Sequence, residues 1–303
     1  MSEKVTAVAE KVKEAMSMKL RADLSKIKVN AKTGVVTIND YFKIKQGTFE
    51  ILKHNIQHGV NTMLIGPTGT GKTEVISNIA DLFDLPLTIF DMGTMTDPVM
   101  GLVGTHVITV ENGVTKSEFR RSRFSEVIQQ PGIVLLDEIS RAGAMANNLL
   151  FPCLDFRREL PMEYSFHDTE PIKIHPNCVF FSTANMGSQY TGTHKLDRAL
   201  LDRFMLVEMD GLKTEDIKST LAAEFPSIDE AQLTKLVSAF EAINKEHDEF
   251  KISFNLSLRH LKTIAKLVSN KFTIYDAFFV LCKGLGGKEG LTSIKSILDD
   301  TTK

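Results

Sequence analysis

The chain has 303 residues, 43% of them hydrophobic and 24% charged, with 36 basic against 38 acidic side chains. That length suits two domains with a substantial core, and the composition excludes a disordered chain. The formal net charge of −2 argues against broad electrostatic binding to nucleic acid and leaves a local basic patch open.

The first stretch, residues 3 to 26, places Val5, Val8, Val12, Met16 and Leu20 at helical spacing, so an amphipathic helix is expected there. It is charged throughout and lacks the apolar centre of a signal peptide. Ala31-Lys-Thr-Gly34 is a turn signal and Val35–Ile38 a short strand. From about residue 48 to 210 short apolar runs alternate with helical segments. The runs are Thr62–Ile65, Leu87–Phe90, Ile133–Leu136, Val179–Ser182 and Met205–Glu208, with a helix over Glu74–Phe83. Runs apolar on both faces suit buried parallel strands of an α/β sheet. Two stretches interrupt the alternation. His106–Val110 and Val114–Phe119 flank Asn112-Gly113, a hairpin signal, and Glu159–His175 reads as a second hairpin-like insertion. Beyond Gly211 the strand signals stop, and helices are expected over Thr214–Glu224, Asp229–Glu249, Ser257–Val268, Thr273–Cys282 and Leu291–Asp299. The domains expected are therefore an N-terminal segment (1–40), an α/β core (41–210, with insertions at 105–119 and 158–177) and an all-α domain (211–303). Cys153, Cys178 and Cys282 lie far apart without CxxC spacing and read as reduced core residues of a cytoplasmic protein. No apolar run approaches the roughly 18 residues that a membrane helix needs.

Gly66, Pro67, Thr68, Gly69, Thr70, Gly71, Lys72 and Thr73 fit GxxxxGK[ST] between an expected strand and an expected helix, with Glu74 next in that helix. Glycines let such a loop turn its N–H groups onto phosphate oxygens, and the helix N-terminus adds its positive dipole end. Lys72 would reach the β- and γ-phosphates, and the Thr73 hydroxyl would ligate Mg²⁺. The apolar run Ile133–Leu136 ends in Asp137 and Glu138. Asp137 would hold Mg²⁺ through water, and Glu138 would polarise the water attacking the γ-phosphate. The guanine-specifying NKxD is missed by both Asn244-Lys-Glu-His247 and Asn270-Lys-Phe-Thr273. Glu138 directly after Asp137 suits water activation better than transfer to a held acceptor. ATP hydrolysis is the expected reaction.

Four further segments complete a pattern: Asp97-Pro-Val-Met-Gly-Leu-Val-Gly104, Asp137-Glu-Ile-Ser-Arg-Ala142, Leu149-Leu-Phe-Pro-Cys-Leu-Asp-Phe-Arg157 and Ala199-Leu-Leu-Asp-Arg-Phe204. With them the chain resembles the AAA+ superfamily, and within it the MoxR type with its CobS, CbbQ and GvpN relatives, over about residues 40 to 270. The resemblance implies an α/β P-loop NTPase (AAA+) fold with a five-stranded parallel sheet flanked by helices, inserted β-hairpins and a small all-α lid domain. It implies that Asn185, closing Ser182-Thr-Ala-Asn185, is the sensor 1 group that positions the attacking water. Arg203 matches the arginine finger that enters a neighbouring subunit's site, with Arg198 and Arg141 as secondary candidates for such contacts. Arg259, in Ser257-Leu-Arg259-His-Leu261, falls where the family places sensor 2, a contact to the γ-phosphate. Both insertions fall where the family carries pore-facing hairpins, although neither Phe119 nor Tyr164 stands out as a pore aromatic.

The resemblance further implies a hexameric ring of identical subunits, with ATP and Mg²⁺ bound. It also implies a protein client and a partner with a von Willebrand A-type domain, with no membrane association. Because CobS-like proteins also occur in phage genomes, both a bacterial chain and a phage-encoded one acting in a host cytoplasm stay open. Two other readings stay open as well. Lys116, Arg120, Arg121 and Arg123 form a basic cluster near the first hairpin that suits a nucleic-acid translocase like McrB, whose MNxxDRS signature Asn185-Met-Gly-Ser188 does not complete. A nucleotide-switched assembly module with slow hydrolysis is the other.

Overall fold

A computed structural model describes residues 24–30, 34–39, 42–112, 114–165, 170–185, 196–209, 213–249, 251–286 and 291–302. Of the helix expected over residues 3–26 only Leu24–Lys26 falls among these, as a 3-10 turn. Gly113 and the segment Met186–Ser188 also lie outside the described residues. Contacts divide the chain into two compact units. One takes the chain up to Ile38, then Ile44–Pro67 and Lys72–Met209; the other takes Asn39–Lys43, Thr68–Gly71 and the chain beyond Met209.

In the first unit β1 (Ile27–Asn30) runs antiparallel to β2 (Val35–Ile38); β3 (Phe42–Lys45) follows, with Ile44 and Lys45 in this unit and Phe42 and Lys43 in the second. The helix α1 (Gln46–Gln57) buries Phe49, Leu52 and Ile56, whose spacing of three and four residues puts them on one face. The α/β alternation then begins with β4 (Thr62–Ile65), α2 (Lys72–Leu82) and β5 (Leu87–Asp91). A π-helical turn, Val99–Val103, leads into a two-stranded ribbon of β6 (Gly104–Glu111) and β7 (Val114–Arg121), antiparallel over all eight pairs. After α3 (Arg123–Val127) come β8 (Gly132–Asp137) and α4 (Ala144–Leu154). Among the described residues the second insertion holds a two-residue pair, β9 (Glu159–Leu160) with β10 (Ile172–Lys173). The unit closes with β11 (Cys178–Ala184), α5 (Arg198–Leu201) and β12 (Met205–Glu208).

Five of these strands form one parallel sheet in the order β12-β4-β11-β8-β5. The order bears out the expected five-stranded sheet and places β11, late in sequence, between β4 and β8. Strands β8 and β11 are buried along almost their whole length, as their unbroken apolar runs require. The edge strands differ from that expectation. Ile89 on β5 and Met205 and Leu206 on β12 are each about two-fifths exposed, because an edge strand has a neighbour on one side only. Beside the sheet a core of Phe124, Phe180, Val134, Leu136, Leu150 and Met63 is sealed from solvent. The three cysteines are free and buried, and burial raises every thiol pKa, that of Cys178 to about 11 and that of Cys282 to about 12.

The second unit is helical beyond Lys213. It comprises α6 (Thr214–Glu224), α7 (Glu230–Asp248), α8 (Leu258–Ser269), α9 (Ile274–Gly286) and α10 (Leu291–Thr302). Asp229 and Ser257 each close a capping box at the start of α7 and α8, which fixes where those helices begin. Leu221, Leu236, Leu261, Ile264, Phe278 and Leu298 form its separate core. No helix among the described residues is long and apolar enough to cross a membrane.

Candidate nucleotide site

In a parallel α/β sheet, ligands gather where the strand order reverses, at the carboxyl ends of the strands. Here the reversal flanks β4, whose neighbours are β12 and β11. The register brings the ends of three strands level: Ala184 of β11 pairs with Ile65 of β4, and Ser182 with Leu136 of β8. Gly66 is therefore one residue past the sheet, and Thr183 lies level with Asp137.

Gly66 has φ +155, and a Cβ there would come 2.5 Å from the backbone carbonyl oxygen of Met209. Only glycine lets the loop leave β4 this close to the end of β12. Gly69 and Gly71 also have positive φ, +83 and +79. Within the second unit Gly69 packs so near Ser257 that a Cβ would come within 2.7 Å of the serine Cβ. Lys72 opens α2 and is buried, its ammonium donating to the carbonyls of Gly66 at 2.9 Å and Pro67 at 2.7 Å. Burial pulls its pKa down to about 8, against the attraction of Asp137 and Glu138, so the charge is held at some cost. Glu74 lies in the first turn of α2, where a carboxylate matches the helix dipole.

The Thr73 hydroxyl donates to Oδ1 of Asp137 at 2.9 Å, and the Thr183 hydroxyl donates to the same oxygen. Thr183 Oγ1 in turn accepts the backbone N–H of Glu138 at 2.9 Å. One hydrogen-bonded chain thus links α2, β8 and β11. The Thr73 hydroxyl and the Asp137 carboxylate lie side by side, within one hydrogen bond of each other. A pair of hard oxygen donors of this kind fits Mg²⁺. Glu138 sits just past the strand with φ +55 and ψ 42, a left-handed conformation that glutamate adopts only when its surroundings hold it. Its carboxylate pairs with the Arg141 guanidinium, Nε to Oε2 at 2.9 Å.

The structure brings Lys72, Thr73, Asp137 and Glu138 together. Asn185 directly follows β11 and is partly exposed. Arg203 follows α5 and turns onto its own chain. Its guanidinium stacks 4.4 Å from the Phe151 ring centroid, lies 3.7 Å from the Asp155 carboxylate and donates to the Ala199 carbonyl. Arg157 also grips Asp155, and Arg157 foremost, with Arg203 adding to it, holds that carboxyl below the usual carboxylate range. Arg259 belongs to the second unit, at the second position of α8. Sequence reasoning missed Thr183, although its Ser182–Asn185 segment had been singled out, and it assigned Arg141 only an intersubunit role.

Residues 61–204 match the family described as AAA domain (dynein-related subfamily). The chain is 28% identical over 249 residues to a protein of Thauera aromatica named putative chaperone BssE, across 80% of this chain and 82% of that one. It is 29% identical over 182 residues to midasin of Dictyostelium discoideum, covering 60% of this chain and 3% of midasin. Among solved structures it resembles NtrX from Brucella abortus in complex with ADP, at a TM-score of 0.52 and 17% identity, over 75% of this chain. It spans about half the length of NtrX, at 49%. Strand order and structural likeness agree on an AAA+ α/β fold.

Proposed function

We propose that the chain, whose residues 61–204 match the AAA domain family, hydrolyses ATP to ADP and phosphate as a ring-forming motor of the MoxR and CobS type. The observation that carries this reading is the hydrogen-bonded chain from Thr73 through Asp137 and Thr183 to the Glu138 backbone. It holds Thr73, Asp137 and the main chain of Glu138 in fixed relation at one end of the sheet. Gly66 to Glu74 enclose the phosphates, and Lys72 exchanges its loop carbonyls for phosphate oxygens. Thr73 and Asp137 hold Mg²⁺, which when bound would offset charge on the phosphate oxygens. Glu138 takes the proton of the attacking water and Asn185 orients that water. Arg203 serves a neighbouring subunit, and Arg259 answers to the γ-phosphate.

Work on a protein client is supported by the name of the Thauera relative. A hexameric ring, a von Willebrand A-type partner and a chelatase role rest on family analogy. Measured on the full chain, Lys72→Ala should abolish ATP binding, because it removes the cation that the phosphate loop itself supplies among neutral backbone donors. Glu138→Gln should bind ATP and fail to hydrolyse it, since an amide can hold water and cannot accept its proton. Chelating magnesium should stop turnover and adding it back should restore it. Hydrolysis by Glu138→Gln at the wild-type rate would overturn the assignment.

A further inference from the structure

The role given to Glu138 asks for a carboxylate held in one place, and the backbone alone does not supply that. The left-handed φ and ψ, the N–H bond to Thr183 and the turn bond from the Arg141 N–H to the Glu138 carbonyl fix the main chain only. Beyond Cα the side chain has three rotors and is 38% exposed. What reaches it is Arg141, three residues on, whose Nε lies 2.9 Å from Oε2.

Arg141 is backed on one side, its side chain being otherwise 46% exposed. A Cβ placed on Gly93, just past β5, would come 3.0 Å from Cδ of Arg141 and 3.4 Å from Oε2 of Glu138. Gly93 in turn is tied down by its N–H bond to Oδ1 of Asp91 at 2.9 Å. The arginine stem thus lies along a stretch of bare backbone, and its Nε–H points at one oxygen of the glutamate. An arginine stacked this way fixes direction as well as charge, which a flexible ammonium does less well.

We infer that Arg141 is a positioning residue for Glu138: it pins Oε2 and leaves Oε1 to meet the attacking water. The inference rests on the hydrolytic role proposed for Glu138. It differs from an intersubunit role for Arg141, because the partner is in the same chain.

Steady-state turnover, KM for ATP and affinity for a fluorescent ATP analogue would be measured on the full chain. Arg141→Gln should lower kcat about tenfold, a fraction of the 10²–10⁴ that a positioned base contributes, with KM and analogue affinity unchanged. Arg141→Lys should recover part of the loss. Gly93→Ala leaves both charged groups in place and crowds the arginine stem, so it should reproduce the fall in kcat. In single-turnover reactions Arg141→Gln should add nothing to Glu138→Gln, the non-additivity of two residues acting as a unit. Wild-type or raised kcat in Arg141→Gln would overturn the inference. So would a loss confined to KM, no recovery with lysine, or the same fold-loss in both Glu138 backgrounds. If the wild-type chain hydrolyses ATP and Glu138→Gln does not, any such result condemns only the role of Arg141. If Glu138→Gln hydrolyses normally, both readings fall.

Discussion

Thr183 is a small side chain at a junction of three elements. Its hydroxyl donates to Asp137 and accepts from Glu138, and the residue is 2% exposed. Replacing it with valine keeps the shape and removes both bonds. That leaves the Glu138 backbone N–H short of its acceptor, at about 1–3 kcal/mol by the usual penalty for an unpaired group, while Asp137 Oδ1 keeps its bond from Thr73. Thr183→Val should therefore lower the urea midpoint and the ATP turnover together, while Thr183→Ser should keep most of both. The residue could not be read from the sequence because its importance depends on strand order. Neighbouring residues 182–185 were recognisable as the end of a buried strand, but only the insertion of β11 between β4 and β8 sets Thr183 beside Asp137. The phosphate-loop residues, by contrast, were legible because their spacing is a local requirement of the turn.

At the scale of elements, the chain declared itself wherever one periodicity persisted. Met205–Glu208 and Thr214–Glu224 form over the expected residues, and the first hairpin extends only two residues further at each end. The misses have physical causes. β1 is exposed over three of its four residues, and β3 alternates lysines with Phe42 and Ile44, so neither makes an apolar run. Helix α4 contains Pro152, which ordinarily marks a break, but it lies in the last turn, where one lost N–H bond is tolerable. The helix after the ribbon shows how its start is set. Ser122 accepts the Ser125 N–H at 3.1 Å and donates to the Leu102 carbonyl at 2.7 Å, stitching the cap of α3 to the π-helical turn. Ser122→Ala should cost about 1 kcal/mol, the common price of a lost N-cap, read as a lowered urea midpoint with the ribbon's β signal retained. A loss of the ribbon as well would mean that the cap holds both elements.

For the molecule as a whole, the question is whether the site is complete in one chain. Arg203 bears on it directly. Its side chain is only a quarter exposed, stacks on Phe151 and shares one carboxylate, Asp155, with Arg157. Among the described residues the Arg203 Nε is buried without a hydrogen-bond partner. Such an arginine is held in place by its own subunit yet keeps an N–H to offer, which suits a group presented to the phosphates of a neighbour. Arg203→Ala should leave ATP binding nearly intact and cut turnover by about 10³-fold or more, the scale of arginine fingers. Turnover per chain should rise with protein concentration as rings assemble. Mixing Arg203→Ala chains with Glu138→Gln chains should then restore activity, because some interfaces join an intact Glu138 to an intact Arg203. In an equimolar random ring about a quarter of heterologous interfaces are of that kind, which sets the ceiling for recovery. Turnover independent of concentration, together with a mixture that co-assembles and stays inactive, would mean that each chain works alone, and the protein would be a monomeric switch.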